Sequence, residues 1–134
     1  MSCKSLLYTA MTTPTAVAVN GTIPLGTIIR RYGCNCNLNG NGVTVEGAGY
    51  YDITASATAT PDAAGTVTMQ LLQDGVAVPG AVASTTVAAA ATAVNLAFPA
   101  AIRLGCCSTG STLTLVLTGA ASTVSNVALR VEKL

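Results

Sequence analysis

The cysteines are the residues whose type and spacing could support chemistry. Of the five, Cys34 and Cys36 are separated by one residue, Cys106 and Cys107 are adjacent, and Cys3 stands apart. Both pairs lie among turn-forming residues, so four thiols could meet at one end of a folded domain. Three states are open: free or partly oxidised structural thiols, disulfides as on an extracellular particle, or a four-thiolate zinc site. Zinc is the least supported of the three, because zinc-binding pairs usually read C-x2-C. Cys3 either stays free or pairs between subunits.

The other reactive residue types argue against an enzyme. The chain contains no His, which excludes Ser-His and Cys-His nucleophiles and histidine metal sites. Asp62 and Asp74 are explained as turn residues, and no glycine-rich phosphate loop is present. The five acids are spread one to a turn or strand: Glu46, Asp52, Asp62, Asp74 and Glu132. A paired-carboxylate site would need two of them to meet by folding, so we expect no catalytic residues, no metal and no cofactor.

The charge content predicts assembly. Charged residues make up 8% of the 134 positions and the net charge is +1, whereas about 25% charged residues is typical. The apolar residues are mostly Ala, Val and Leu, with one Phe and no Trp, so each buried side chain removes little area from water at about 25 cal/mol per Å². Burial at a subunit interface would add to this thin core. The alternative is a neutral, Thr-rich extracellular surface.

Neither nucleic acid nor a membrane is an expected partner. Phosphate binding requires a basic patch, and the adjacent Arg30 and Arg31 of a strand point to opposite faces. The most apolar stretch, 76–104, is interrupted by Pro79 and Pro99, whereas a spanning helix needs about 20 continuous apolar residues. The first 18 residues contain an apolar run too short and too rich in Thr for a signal peptide, so we interpret them as mature sequence.

Alternation of apolar and polar residues predicts strands. In residues 50–60, Tyr51, Ile53, Ala55, Ala57 and Ala59 fall on one face, because successive strand side chains point to opposite sides. Residues 33–42 predict a compact loop, rich in Asn and Gly. Further strands are predicted at 6–11, 15–19, 22–25, 27–32, 66–73, 76–79, 81–87, 92–98, 112–118 and 126–134. Short strands at intervals of about ten residues, with no amphipathic helix, are typical of an all-β antiparallel sandwich or jelly roll. We interpret residues 1–134 as one such domain.

Three segments resemble motifs of a known family. Residues 49–53 read GYYDI and resemble the G-x-Y-x-[FI] motif that opens a central strand in C1q/TNF-like domains. Residues 71–75 read LLQDG and match an L-x-x-[ND]-G strand end, and the chain closes on the alternating strand NVALRVEKL. The resemblance is best over residues 43–134 and looser over 1–42, which hold the N-terminal strands and the Asn/Gly/Cys loop. The Thr/Ala-rich composition is similar to that of the bacterial and phage branch of the family, which includes spore-surface collagen-like proteins and small virion proteins.

The resemblance implies a ten-stranded jelly roll assembled as a homotrimer. Tyr51 is then a core or trimer-axis residue, and the core or trimer candidates are Tyr51, Ile53, Leu113, Leu115, Leu117 and Leu129. The function it favours is a structural protein of a tailed-phage virion, a capsid decoration or a fibre or head-fibre component, assembled in the host cytoplasm beside other virion proteins. One alternative is a trimeric module that binds a receptor or host surface glycan, with Tyr8, Tyr32 and Tyr50 as the aromatic candidates. The other is a bacterial cell- or spore-surface protein.

Overall fold

The computed structural model describes residues 4–105 and 110–134, and these residues form strands, turns and irregular segments without a helix. The strands are β1 (Ser5–Met11), β2 (Thr15–Val17), β3 (Thr27–Tyr32), β4 (Cys36–Asn39), β5 (Gly42–Val45), β6 (Gly49–Pro61), β7 (Gly65–Gln73), β8 (Val76–Val87), β9 (Val94–Leu104), β10 (Ser111–Thr118) and β11 (Ser122–Lys133). Within the described ranges, no helix is long and apolar enough to cross a membrane.

The strands form two antiparallel sheets. The first has six strands in the order β3-β1-β11-β6-β9, with β2 pairing to β11. The second has five strands in the order β4-β5-β10-β7-β8. The prediction of an all-β antiparallel sandwich is therefore confirmed, and residues 4–105 and 110–134 contain eleven strands where ten were expected.

One apolar core fills the space between the sheets. Its central row comes from β6, where Tyr51, Ile53, Ala55 and Ala59 are fully buried, as the period-two pattern predicts. The opposite sheet contributes the inward leucines of β10 and the inward residues of β7. All six predicted core or trimer candidates lie in this core, each at most 1% exposed: Tyr51, Ile53, Leu113, Leu115, Leu117 and Leu129. Their side chains therefore pack within one subunit and are not available at its surface.

Two segments differ from the sequence prediction for identifiable reasons. The predicted strand at 22–25 is irregular and makes one isolated bridge, from Thr22 to Val116. The reason is Pro24, which has no N–H to donate to a neighbouring strand. Ile23 and Leu25 are nevertheless buried. Conversely, the predicted loop at 33–42 contains β4, which pairs with β5 from Cys36 opposite Val45 to Asn39 opposite Gly42.

The strand β8 runs through the predicted break at residue 80. Gly80 has a φ of 80°, and the register between β7 and β8 shifts between Gln70 and Leu72. A bulge of this kind absorbs the positive φ, and Pro79 is tolerated because β8 is an edge strand. The two predicted strands, 76–79 and 81–87, are one strand.

Thr9 is the one buried side chain in the described ranges whose polar atom has no hydrogen-bond partner. It is fully buried on β1, and a buried hydroxyl without a partner costs about 1–3 kcal/mol. We expect Thr9→Val, which keeps the shape, to raise the free energy of unfolding by about 1 kcal/mol in urea titrations. Thr54→Val, on the exposed side of β6, is the control and should change it by less than about 0.5 kcal/mol. A destabilised Thr9→Val protein would contradict this assignment.

Candidate interaction surface

The two sheets expose chemically different outer faces. Residues that are register partners in neighbouring strands point to the same side of a sheet, so the outward side chains form rows across each face. We call the outward side chains of β3, β1, β11, β6 and β9 the tyrosine face, because Tyr8, Tyr32 and Tyr50 all lie on it. We call the outward side chains of β5, β10, β7 and β8 the threonine face.

A strip of small residues crosses the tyrosine face. Ala10 is opposite Ala128, Ala128 is opposite Ser56, and Ser56 is opposite Ala97. Four neighbouring strands thus carry side chains no larger than Ser at the same level. A strip of this kind is flat and permits close approach by another protein surface.

The adjoining rows carry the charges and aromatic rings. The first row contains Arg30, Tyr8, Arg130, Thr54 and Pro99. The second row contains Tyr32, Leu6, Glu132, Asp52 and Ala101. Arg130 lies 3.6 Å from the carboxylate of Asp52 in an exposed ion pair, which contributes little stability in water.

The structure brings together two acids that the sequence had separated. Glu132 and Asp52 are directly opposite each other on adjacent strands. Their like charges repel, which destabilises the pairing of β11 with β6 in a single subunit. The pair lies on the outer face of the sheet, where Asp52 is exposed and forms an ion pair with Arg130. A paired-carboxylate hydrolase would instead hold its substrate in a cleft between the two groups. The absence of catalytic residues stays a prediction.

One end of the tyrosine face adjoins a groove. The guanidinium of Arg103 lies 5.9 Å from the centre of the exposed Tyr50 ring, a cation–π contact. Arg103 also lines a groove of about 280 Å³ between β8 and β9. The other lining residues are Gln73, Val76, Ala77, Val78, Pro79, Ala101 and Ile102. An apolar groove with a cation at its edge could accept an anionic group attached to an apolar body.

The threonine face is uncharged and bonded to itself. The Thr66 and Thr86 hydroxyls are 3.0 Å apart, and the Thr68 and Ser84 hydroxyls are 2.8 Å apart. Hydroxyl pairs across strands stabilise the sheet, and each hydroxyl also keeps capacity for water. This face is typical of a solvated surface.

The thiols are placed by the turn between β3 and β4. Cys34 is exposed, Cys36 is buried, and neither is in a disulfide. Burial raises the pKa of Cys36 to about 11, against the opposing effect of the Arg31 and Lys133 charges. A thiol is a nucleophile or a metal ligand as thiolate, so Cys36 is poorly suited to either role at neutral pH.

Three of the five cysteines, Cys3, Cys106 and Cys107, lie outside the described residues. Cys106 and Cys107 are the other half of the thiolate cluster considered from the sequence. No group of three potential metal ligands occurs in the described part of the chain.

The two described thiols should differ in reactivity. At pH 8 under reductant, we expect iodoacetamide to modify Cys34 at least about tenfold faster than Cys36, because Cys36 is buried with a pKa near 11. Fragment-ion mass spectrometry of the peptide that carries both residues measures the two rates. In urea the difference should disappear. Equal rates in the native protein would contradict the burial of Cys36.

Tyr51 closes the turn between β5 and β6. Its hydroxyl donates to the carbonyl oxygens of Glu46 and Gly47, at 2.7 and 2.8 Å. The Asn35 side chain also donates to the Glu46 oxygen at 2.7 Å, and its own Oδ1 accepts from Ser5 at 2.7 Å. Burial raises the pKa of Tyr51 to about 12. Tyr51 therefore joins the core to this end of the sandwich as a neutral donor.

Removing this hydroxyl should destabilise the protein. We expect Tyr51→Phe to lower the free energy of unfolding by about 1–2 kcal/mol, because two acceptors lose a buried donor. Tyr50→Phe is a matched control one residue away, since the Tyr50 ring is exposed, and its effect should be below about 0.5 kcal/mol. Urea titration measures both. Equal effects would show that the Tyr51 hydroxyl contributes nothing specific.

Comparison with known proteins identifies the fold. No family model matches the chain, and no curated protein matches its sequence. Murine APRIL at pH 5.0 superposes with a TM-score of 0.76 and 15% identity, over 98% of this chain and 100% of that one. The globular domain of zebrafish complement 1qA protein gives 0.72 and 9%, over 96% and 95% of the two chains. The fold is a TNF/C1q-like jelly roll. Eiger TNF from S. frugiperda agrees, with a TM-score of 0.71 and 13% identity over 96% of this chain and 91% of its own.

The TNF/C1q-like likeness extends beyond the part that the sequence motifs cover. It includes 96–98% of the chain, whereas the motifs are confined to residues 43–134. At identities of 9–15%, the likeness defines the fold alone. In the GYYDI segment, the tyrosine of the G-x-Y-x-[FI] motif is Tyr51, which is buried, whereas Tyr50 beside it is exposed.

The three exposed tyrosines can be selected from the sequence, but the surface that unites them cannot. Tyr8, Tyr32 and Tyr50 were candidates because of their residue type. Their common face depends on the pairing of β1 with β3 and of β6 with β9. The strip of small residues had no sequence signal, since its four members come from four separate strands.

Proposed function

We propose that the protein is a non-enzymatic structural protein that assembles as a homotrimer and forms part of a tailed-phage virion. Its place there would be a capsid decoration or a fibre or head-fibre component, assembled in the host cytoplasm with other virion proteins. The observation that carries the proposed assembly is the tyrosine face, where the strip from Ala10 to Ala97 adjoins rows of tyrosine and arginine.

The chemistry of the tyrosine face suits a protein interface. Tyr and Arg are enriched at interfaces and Lys is depleted, and the described rows of this face carry three tyrosines and three arginines but no Lys. Arg130 and the opposed carboxylates of Asp52 and Glu132 leave charge that a neighbouring subunit could complement. The threonine face offers no aromatic ring or charge for such a contact.

A trimer follows most simply from a contact between two different surfaces. When one surface of a subunit binds another surface of the next copy, a 120° rotation closes the ring. Burial of the tyrosine face would supplement a core whose central strand contributes Ala55, Ala57 and Ala59. The low charge content of the chain, 8%, also favours a surface that is partly covered.

The virion assignment rests on the similarity of the Thr/Ala-rich, charge-poor sequence to small virion proteins of the bacterial and phage branch. Quantitative mass spectrometry of gradient-purified particles tests it. We expect to detect the tryptic peptide of residues 5–30, which ends at Arg30. Its copy number per particle, calibrated against the major capsid protein, should be divisible by three. Its absence from particles would reject the virion assignment. Its detection in spore extracts would favour the spore-surface alternative.

Glycan recognition is a second candidate, favoured by Tyr50, Arg103 and the adjoining groove. An exposed ring can stack on a sugar, and the guanidinium could bind a carboxylate of an acidic sugar. A glycan array that includes sialylated and uronic-acid glycans tests this function. Arg103→Gln should abolish any acidic-glycan signal. Binding that is unchanged in the variant, or no binding at all, would reject this site.

A further inference from the structure

The strand β3 is exposed along its whole length. All six residues from Thr27 to Tyr32 are exposed, including Ile28 at 43%, Ile29 at 42% and Tyr32 at 51%. Edge strands are commonly short and polar, whereas this one presents three large apolar side chains. Such a strand is incompletely buried by its own domain.

Its backbone is also available for pairing. Among the described residues, β3 ends the six-stranded sheet, with β1 on one side and no strand on the other. An exposed edge offers N–H and C=O groups to an additional strand, which is how several peptide-binding domains hold extended segments. The backbone provides affinity, and alternate side chains provide specificity.

The charge around β3 is positive. Arg30 and Arg31 lie on it, and Lys4 lies beside its end, where the Lys4 carbonyl approaches Gly33. These are three of the six basic residues of the chain. Neither arginine is within ion-pair distance of a described carboxylate. Arg30 donates to the Ile29 carbonyl oxygen at 2.9 Å. Arg31 donates to the Cys36 carbonyl oxygen at 3.3 Å and to the side-chain oxygen of Asn37 at 2.5 Å.

We propose that β3 binds an extended acidic segment of another protein by strand addition. The register gives the pattern of that segment. Arg30 and Tyr32 are partners of Tyr8 and Leu6 on the outer side of the sheet, whereas Arg31 is the partner of Leu7 on the inner side. A pairing strand therefore needs two consecutive acidic residues opposite the arginines, with apolar residues opposite Ile28 and Tyr32.

A second copy of this chain is a poorer occupant. Antiparallel pairing of two β3 strands would bring four guanidinium groups together, and like charges repel across strands. The register of β3 also shifts against β1 between Tyr8 and Thr9, leaving Ile29 as an extra residue. Bulges and charges of this kind hinder self-pairing of edges but leave an oppositely charged strand favoured.

Fluorescence anisotropy with the labelled peptide acetyl-Val-Glu-Glu-Val-Ile-Thr-amide tests the proposal on the full chain. We expect saturable binding that weakens with salt, and at least about tenfold weaker binding to Arg30→Glu. Thr114→Glu adds a negative charge on the threonine face of the other sheet and should keep affinity within about twofold. Two peptides N-methylated at alternate residues report on strand pairing. One should lose binding and the other should retain it, because only every second amide faces β3.

Four outcomes of the peptide measurements would overturn the proposal. They are no saturable binding up to about 1 mM, equal loss in the two variants, equal binding of the two N-methylated peptides, and displacement of the peptide by single-stranded DNA with the same dependence on Arg30. A lower solution mass for Arg30→Glu would instead assign β3 to contact between copies and would also overturn it. Arg30 and Tyr32 also belong to the tyrosine face, so strand addition requires a trimer contact that covers the strip from Ala10 to Ala97 and leaves β3 open. Because peptide binding is measured separately from mass, a failure of strand addition is distinguished from a failure of the trimer.

Discussion

Replacing Gly119 by Ala should destabilise the protein by more than about 3 kcal/mol. Gly119 follows β10 at a φ of +94°, and an added Cβ would lie 2.0 Å from the carbonyl oxygen of Thr66. Neither backbone segment can move freely, because β10 and β7 are paired in the middle of the five-stranded sheet. Domains are commonly stable by only about 5–15 kcal/mol. We therefore expect a large shift of the urea midpoint or loss of soluble protein.

The control separates steric overlap from the cost of the backbone conformation. Gly75 has a similar φ of +83° in the turn between β7 and β8, but nothing lies within 4 Å of an added Cβ. Gly75→Ala should cost about 1–2 kcal/mol, which is the price of the left-handed conformation alone. If the two variants unfolded at the same urea concentration, the close approach of Gly119 to Thr66 would be wrong.

Introducing Arg at Ser56 should prevent assembly without unfolding the subunit. Ser56 lies in the strip of small residues, between Ala128 and Ala97. A long charged side chain there would hold the facing surface away and would be costly to bury without a partner. Sedimentation velocity should show a change from trimer to monomer, while circular dichroism retains the β signal.

Thr114→Arg is the matched control for Ser56→Arg. Thr114 lies at a comparable central position on the threonine face, opposite Leu72 on β7. This variant adds the same side chain and should keep the mass of the unmodified protein. A trimer that persists in Ser56→Arg, or one that is lost in Thr114→Arg alone, would remove the tyrosine face from the assembly interface.

The fold was largely predictable because the alternation is regular where the strands are long. In β6 the inward residues from Tyr51 to Ala59 are all buried, and each points as the period of two requires. The Asp74-Gly75 turn was equally clear, since both residues have positive φ, 53° and 83°. Asp74 also accepts a hydrogen bond from the Thr112 N–H at 2.9 Å, which explains this acid structurally.

The errors arose where pairing overrode local propensity. Residues 36–39 contain Asn on alternate positions and resemble a loop, but Cys36 is buried and β5 supplies the pairing that makes them a strand. Residues 22–25 have β-branched side chains, but Pro24 limits their pairing. For residues 36–39 the deciding factor is pairing with the neighbouring strand β5, and for residues 22–25 it is Pro24 within the segment itself.

The candidate surface was less predictable than the fold, because it depends on pairing between strands that are far apart in the sequence. A tyrosine or an arginine can be selected by type, but whether it shares a face with another depends on strand order. Tyr8 and Tyr50 become members of one surface through β11, which lies between β1 and β6. The opposition of Asp52 to Glu132 likewise depends on a register that spans 80 residues of sequence.

The solution mass of the purified chain tests the central claim most directly. Light scattering after size exclusion, with and without reductant, should give about 40 kDa, since the trimer contains three chains of 13.3 kDa. The same mass in both conditions would agree with assembly through the tyrosine face, because none of its rows contains a described cysteine. A folded monomer of 13.3 kDa in both conditions would contradict the account.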